Sequence, residues 1–122
     1  MEEWTSHGLS CAIMTGPWNL NGYVRLPEHL RLTGLTAPVR VHGGLDYGPD
    51  EQGWIGFHTS HGGDYWPVDD IINLLTNPVR HLMAGQQQAN GDNRWNMARL
   101  RAEVNHLAEQ VGSQALRAAE RD

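Results

Sequence analysis

Two glycine-rich loops hold most of the side chains that could do chemistry in this chain of 122 residues. The first reads VHGGLDY over residues 41–47, and the second reads GFHTSHGGDYW over residues 56–66. Each loop combines histidine, adjacent glycines and an aspartate with aromatic residues. If the strands beside these loops pair with each other, three histidines and two aspartates come to share one small volume.

Binding of a small anionic or nucleotide-like ligand is the first of three roles that such a cluster could have. Adjacent glycines allow backbone N–H groups to approach a phosphate or carboxyl group closely. Tyrosine and tryptophan can stack on a base, while histidine or aspartate can hydrogen-bond to a ribose hydroxyl. The predicted ligand-binding residues are His42, Gly43, Gly44, Tyr47, His61, Gly63, Asp64 and Trp66.

A metal site and a purely structural role are the two alternatives. His58 and His61 have the spacing H-x-x-H, and His42 or Asp64 would complete a donor set that zinc or non-haem iron accepts. In the structural alternative, the same side chains satisfy backbone groups in tight turns. We assign no catalytic residue and expect no resident cofactor, with zinc or iron as the alternative.

The elements that position these loops are predicted from turn signals and from hydrophobic period. Asn-Gly at residues 21–22 marks a turn, and alternation over 39–42 is typical of a half-buried strand. Later in the chain, Asp69 and Asn77 are predicted to begin helices. The four predicted strands cover residues 10–15, 22–26, 39–42 and 53–57.

The expected fold class is α+β. We predict a small, mostly antiparallel sheet of about four strands within residues 10–58, with C-terminal helices packed on one of its faces. The length predicts a single domain over residues 1–122, which is β-rich over 1–66 and helical over 67–122.

The last helix has the clearest pattern. Its apolar residues recur at spacings of three and four, which places them on one stripe. The stripe could cover the sheet of its own domain or pair two copies across a dimer, and five tryptophans in a small chain favour self-association. The asparagine or aspartate at 92–93 is predicted to cap the helix. The stripe consists of Met97, Leu100, Val104, Leu107 and Val111.

Charge and composition exclude several classes of protein. The chain has nine arginines, no lysine and a net charge of −5, so a P-loop and Schiff-base chemistry on lysine are excluded. Since no segment forms a basic stripe, we expect no nucleic-acid partner. We expect no membrane span because no apolar run is long enough. The single Cys11 favours an intracellular location.

Three motifs resemble those of a group of small proteins from phages of GC-rich actinobacteria. They are NGYV at residues 21–24, VHGGLxY at 41–47 and GFxxxHxGD at 56–64. In that group an aspartate often replaces His58 and a threonine replaces Asp46, so the resemblance favours His42, His61 and Asp64 as the functional groups. The resemblance implies a phage accessory protein located in the cytoplasm of the infected host, but it implies no substrate.

The sequence therefore predicts a phage accessory protein that binds a small nucleotide-like ligand. By analogy with small phage proteins that act against host defence, the expected role is sequestration of a host defence signal. One alternative is a metal-dependent hydrolase of such a ligand. The other is an inhibitor that binds a host protein through an acidic surface.

Overall fold

The computed structural model describes residues 2–15, 20–35, 37–59, 64–66 and 93–120. It has a four-stranded antiparallel sheet with one long helix packed against it, which confirms the predicted α+β class. The helices predicted to begin at Asp69 and Asn77 lie outside the described residues. The elements are β1 (Glu2–Ser6), β2 (Leu9–Thr15), β3 (Leu20–Arg25), α1 (Glu28–Thr33), β4 (Trp54–His58), β5 (Asp64–Tyr65), β6 (Asn93–Arg94) and α2 (Met97–Glu120).

Strand β1 was not predicted from the sequence. The sheet order is β1-β2-β3-β4, and the sheet begins at Glu2 rather than at residue 10. His7 and Gly8 join β1 to β2 as a two-residue hairpin turn, with φ of 53° and 77° respectively. Positive φ at both central residues is the signature of a type I′ turn, which matches the right-handed twist of the flanking strands.

The prediction of a strand over residues 39–42 is wrong. That segment forms no ladder with the sheet, because side chains of α2 satisfy its backbone instead. The Gln110 amide accepts from Arg40 N at 2.7 Å and donates to Arg40 O at 2.8 Å. Gln114 does the same for Ala37, at 3.2 and 2.8 Å. Two glutamine amides thereby replace a neighbouring strand and hold this segment along the helix.

Helix α2 covers one face of the sheet. Of the predicted stripe, Leu100, Val104, Leu107 and Val111 are fully buried within the chain itself. The helix lies so close to β3 that a Cβ on Gly22 would stand 2.5 Å from Val104 Cγ2. The apolar stripe is therefore used inside this domain, and self-association through another surface stays a prediction.

The N-terminus of α2 is capped by Asn96, not by residue 92 or 93. The Asn96 side-chain Oδ1 accepts from Arg99 N at 2.8 Å, and its backbone carbonyl accepts from Leu100 N at 3.0 Å. Asparagine is among the preferred N-cap residues because it satisfies an otherwise unpaired helical N–H. Among the residues described, no helix is long and apolar enough to cross a membrane.

Candidate functional site

A histidine–aspartate pair forms the centre of the candidate site. His42 Nε2 lies 2.7 Å from Asp64 Oδ2, and a carboxylate can only accept, so we assign Nε2 as the donor. Asp64 is 1% exposed, whereas the His42 side chain is 22% exposed. The buried carboxylate therefore orients an imidazole that reaches solvent. The sequence placed both residues in the ligand site, and the structure brings them together.

The chain positions this pair from two directions. His42 follows the segment that the α2 glutamines hold, and its own backbone N–H donates to Glu103 Oε1 at 2.8 Å. Asp64 lies in β5, which pairs in parallel with β6 just before α2 begins. The first turns of α2 and the short β5–β6 pair therefore fix both members of the pair.

Trp95 lies directly beside His42, and sequence reasoning missed it as a site residue. The two rings meet edge to face, with centroids 4.8 Å apart and an interplanar angle of 75°. The Arg99 guanidinium carbon lies 4.0 Å from the Trp95 ring centroid, within cation–π range. Trp66 stacks near Trp95 at 6.4 Å and 21°. A buried indole thus has an imidazole, a guanidinium and a second indole around it.

The Trp95 indole N–H has no acceptor among the residues that the structure describes. Trp95 is fully buried, so this donor is also shielded from bulk water. A buried donor without a partner costs about 1–3 kcal/mol. Such an atom is the kind of group that a bound ligand or ordered water satisfies.

The paired glycines after His42 make a tight turn. Gly44 N donates to Val41 O at 3.0 Å, and Gly43 has a φ of 71°. Positive φ at the third position of a four-residue turn is the requirement of a type II turn, and glycine meets it without strain. No described atom lies within 4 Å of where a Cβ on Gly44 would stand. At Gly44 the turn is therefore open with respect to the described part of the chain.

Trp66 is buried beside Trp95 and is not at the surface of the site. It is 1% exposed, and its indole N–H donates to Thr59 Oγ1 at 2.7 Å. Thr59 in turn donates to Leu20 O at 2.8 Å. The described contacts of the Trp66 ring are the hydrogen bond to Thr59 and the packing against Trp95, so direct contact with a ligand stays a prediction.

Tyr47 lies on the opposite face of the sheet from α2. Its phenol donates to Asp50 Oδ2 at 2.8 Å, and its ring meets that of Tyr23 edge to face at 5.6 Å. Tyr23 follows Gly22 in β3, so the two residues point to opposite faces of the sheet. The structure therefore separates Tyr47 from the predicted site around His42.

The predicted metal ligands do not gather within the described residues. His58 pairs through Nδ1 with Asp46, and Asp46 Oδ2 also accepts from His58 N at 3.1 Å. His42 pairs instead with Asp64. The part of the chain that the structure describes holds no cluster of three or more potential metal-ligating side chains. His61 and Gly63 lie outside the described residues, so their predicted roles stay predictions.

Cys11 shows no sign of a reactive thiol. It is fully buried in β2, and its Sγ lies 3.6 Å from Leu9 O. Burial raises the pKa of the Cys11 thiol, which disfavours the thiolate that a nucleophile needs. Cys11 therefore acts as a small hydrophobic residue of the core.

Comparison with known proteins assigns no family to this arrangement. No protein-family model matches the chain, and neither a curated protein nor a solved structure shows significant similarity to it.

Proposed function

We propose that this protein binds a small phosphate-bearing, nucleotide-like ligand beside His42 and does not transform it. The observation that carries the proposal is the buried Trp95 N–H without an acceptor in the described structure, next to an imidazole oriented by a buried carboxylate. A ligand oxygen is the natural partner of such a donor. The charged groups around Trp95 indicate which chemical group of the ligand supplies this oxygen.

Two carboxylates and one guanidinium lie around His42 and Trp95. Its two carboxylates are already engaged with His42, since Asp64 accepts from the ring and Glu103 accepts from the backbone N–H. The Arg99 guanidinium carbon lies 4.0 Å from the centroid of the Trp95 ring. We infer an anionic ligand from the guanidinium beside Trp95, because a guanidinium matches phosphate geometry well.

The backbone near His42 adds to this preference. Arg99 and Glu103 belong to the first two turns of α2, where the helix dipole places partial positive charge. No described atom crowds Gly44 of the turn beside His42, as a close approach by a phosphate requires. A nucleotide supplies the phosphate for these groups, while recognition of its base stays a prediction.

The biological role that we propose follows from the resemblance of the motifs to those of actinobacterial phage proteins. A small phage protein that captures a nucleotide signal in the cytoplasm of the infected bacterium would blunt a host defence. Capture requires a pocket and tight binding, but no catalytic turnover. The proposal therefore treats His42 as a hydrogen-bonding group rather than as a general base.

Release of a captured ligand from the protein is the experiment that tests this function. The purified protein is incubated with a small-molecule extract of an actinobacterial host, desalted and heat-denatured, and the released compounds are identified by mass spectrometry. We expect an intact phosphate-bearing compound from the wild type and much less from His42→Ala. His58→Asn is the matched control, because it disrupts the other histidine–aspartate pair, and it should retain the compound.

Other outcomes distinguish the alternatives. Recovery of a cleaved compound, lost when a chelator is present, would show a metal-dependent hydrolase instead. Equal release from wild type and His42→Ala would place the ligand elsewhere on the protein. No released compound from the folded wild type would contradict capture and favour the protein-binding inhibitor.

A further inference from the structure

A cavity lies on the face of the sheet opposite α2. Its volume is about 330 Å³, and aromatic rings and carboxylates line it together. The lining groups that matter for its chemistry are Tyr23, Tyr47, Trp54, Met14, Glu3 and Asp50. This volume is at the lower end of the range for small-molecule sites, so it suits a compact ligand.

The aromatic walls are built around a glycine of β4. Tyr23 pairs with Gly56 across the sheet, and Tyr47 forms an isolated antiparallel bridge with the same glycine. A Cβ on Gly56 would stand 2.4 Å from Tyr23 Cδ1, so only glycine lets the Tyr23 ring lie over the strand. The Tyr47 ring then stands at 88° to the Tyr23 ring. Two nearly perpendicular rings form a corner of the cavity.

Asp50 provides a fixed negative charge at this corner. Its Oδ1 accepts from the backbone N–H groups of Trp54 at 2.9 Å and Gln52 at 3.0 Å, and its Oδ2 accepts from the Tyr47 phenol. The Trp54 N–H, followed by the Tyr47 hydroxyl, lowers the pKa of Asp50, while the hydrogen bond to Asp50 raises that of Tyr47. Asp50 therefore keeps its negative charge, and Tyr47 its proton, at neutral pH.

These hydrogen bonds also limit which cation suits the cavity. Three donors already occupy Asp50, so it attracts a cation by charge more than by accepting further hydrogen bonds. A guanidinium or primary ammonium would bring several N–H groups that need acceptors. A quaternary ammonium has no N–H group and so needs no acceptor, and aromatic faces bind it well. The guanidinium of Arg25 is held by a hydrogen bond, in which its Nε donates to the backbone carbonyl of Gln52 at 2.7 Å.

We propose that this outer cavity, lined by Tyr23, Tyr47 and Trp54 with Glu3 and Asp50, binds a small molecule through its quaternary ammonium group. The site is independent of the one around His42, and neither proposal depends on the other. The cation would contact the aromatic faces, while the two carboxylates supply the opposite charge. Negative net charge over residues 1–91 would also attract such a ligand.

A comparison of choline with its uncharged isostere, 3,3-dimethylbutan-1-ol, tests this proposal on the wild-type protein. The two probes have the same shape, so any difference in affinity reports the charge. We expect choline to bind about tenfold more tightly, as measured by isothermal titration calorimetry on the wild type and on each variant. Trp54→Leu should abolish saturable binding, and Asp50→Asn should weaken choline binding without affecting the isostere.

Three results would overturn the proposal. Equal affinity for choline and the isostere would show an apolar hollow without cation preference. No saturable binding of choline to the folded wild type would show that the cavity is not a cation site. Binding of a peptide with trimethyllysine, without binding of choline, would show that the cavity belongs to a protein interface rather than to a small-molecule site.

Discussion

Replacement of Trp95 with alanine is expected to lower the free energy of unfolding by about 3–5 kcal/mol. The Trp95 indole is fully buried and contacts His42, Trp66 and Arg99, so its removal leaves a large cavity beneath the site. Urea denaturation followed by circular dichroism measures the loss. Leu116→Ala is the matched control, because Leu116 is 69% exposed and its truncation should change stability little.

The phenylalanine variants of the two stacked tryptophans separate packing from hydrogen bonding. Trp95→Phe removes an N–H that has no acceptor in the described structure, whereas Trp66→Phe removes an N–H bonded to Thr59. Loss of a paired donor leaves its buried partner unsatisfied, so Trp66→Phe should be the more destabilising of the two. A larger loss for Trp95→Phe in the ligand-free protein would show that its N–H is already satisfied.

Replacement of Asp64 with alanine is expected to have the largest effect on ligand binding. Asp64 is the buried acceptor that orients His42, and its loss leaves the imidazole without that partner. Affinity for the released compound should fall about fivefold to 150-fold, the equivalent of roughly 1–3 kcal/mol, as measured by isothermal titration calorimetry. Asp64→Asn keeps an acceptor oxygen but no charge, so it should lose less.

Asp46→Asn is the control for that prediction. Asp46 serves the second histidine–aspartate pair with His58, and the variant should bind the compound as the wild type does. If Asp64→Ala folds normally and binds with unchanged affinity, the pair with His42 is structural. If Asp46→Asn is equally damaging, the ligand does not lie beside His42.

The long helix was the most predictable element, and its pattern explains why. Leu100, Val104, Leu107 and Val111 have spacings that admit one interpretation, a helix with a single buried stripe. The central strands β2 and β3 were also predicted, to within two residues at each end. Local hydrophobic period is enough for such elements because their own residues form the core.

Elements whose stability comes from distant residues were not predictable in the same way. Strand β1 contains one large apolar residue, Trp4, and its indole N–H donates to Asn105 of α2 at 2.8 Å. The sequence over residues 39–42 alternates between apolar and polar residues as a strand does. In the structure, however, Gln110 of α2 accepts from the backbone N–H of Arg40, and Gln114 accepts from that of Ala37, just before the segment. In both cases the deciding partner lies about 70 or more positions away in the sequence.

The candidate site was predictable only in part, for the same reason. Matched His-Gly-Gly patterns pointed to His42 and the second loop, and the structure brings His42 to Asp64. Tyr47 belongs to the same loop as His42, yet it lines the opposite face because the chain turns at Gly43. Trp95 and Arg99 carried no motif. A tryptophan immediately before a helix cap was the one available signal for them, and it is a weak one.

The NMR signal of the Trp95 indole N–H tests the central claim most directly. The protein is labelled with ¹⁵N and titrated with the compound identified in the release experiment. If the ligand supplies the missing acceptor, the Trp95 indole resonance should move strongly and saturably, while that of Trp54 on the opposite face stays in place. A saturated complex in which Trp95 is unmoved would contradict the account.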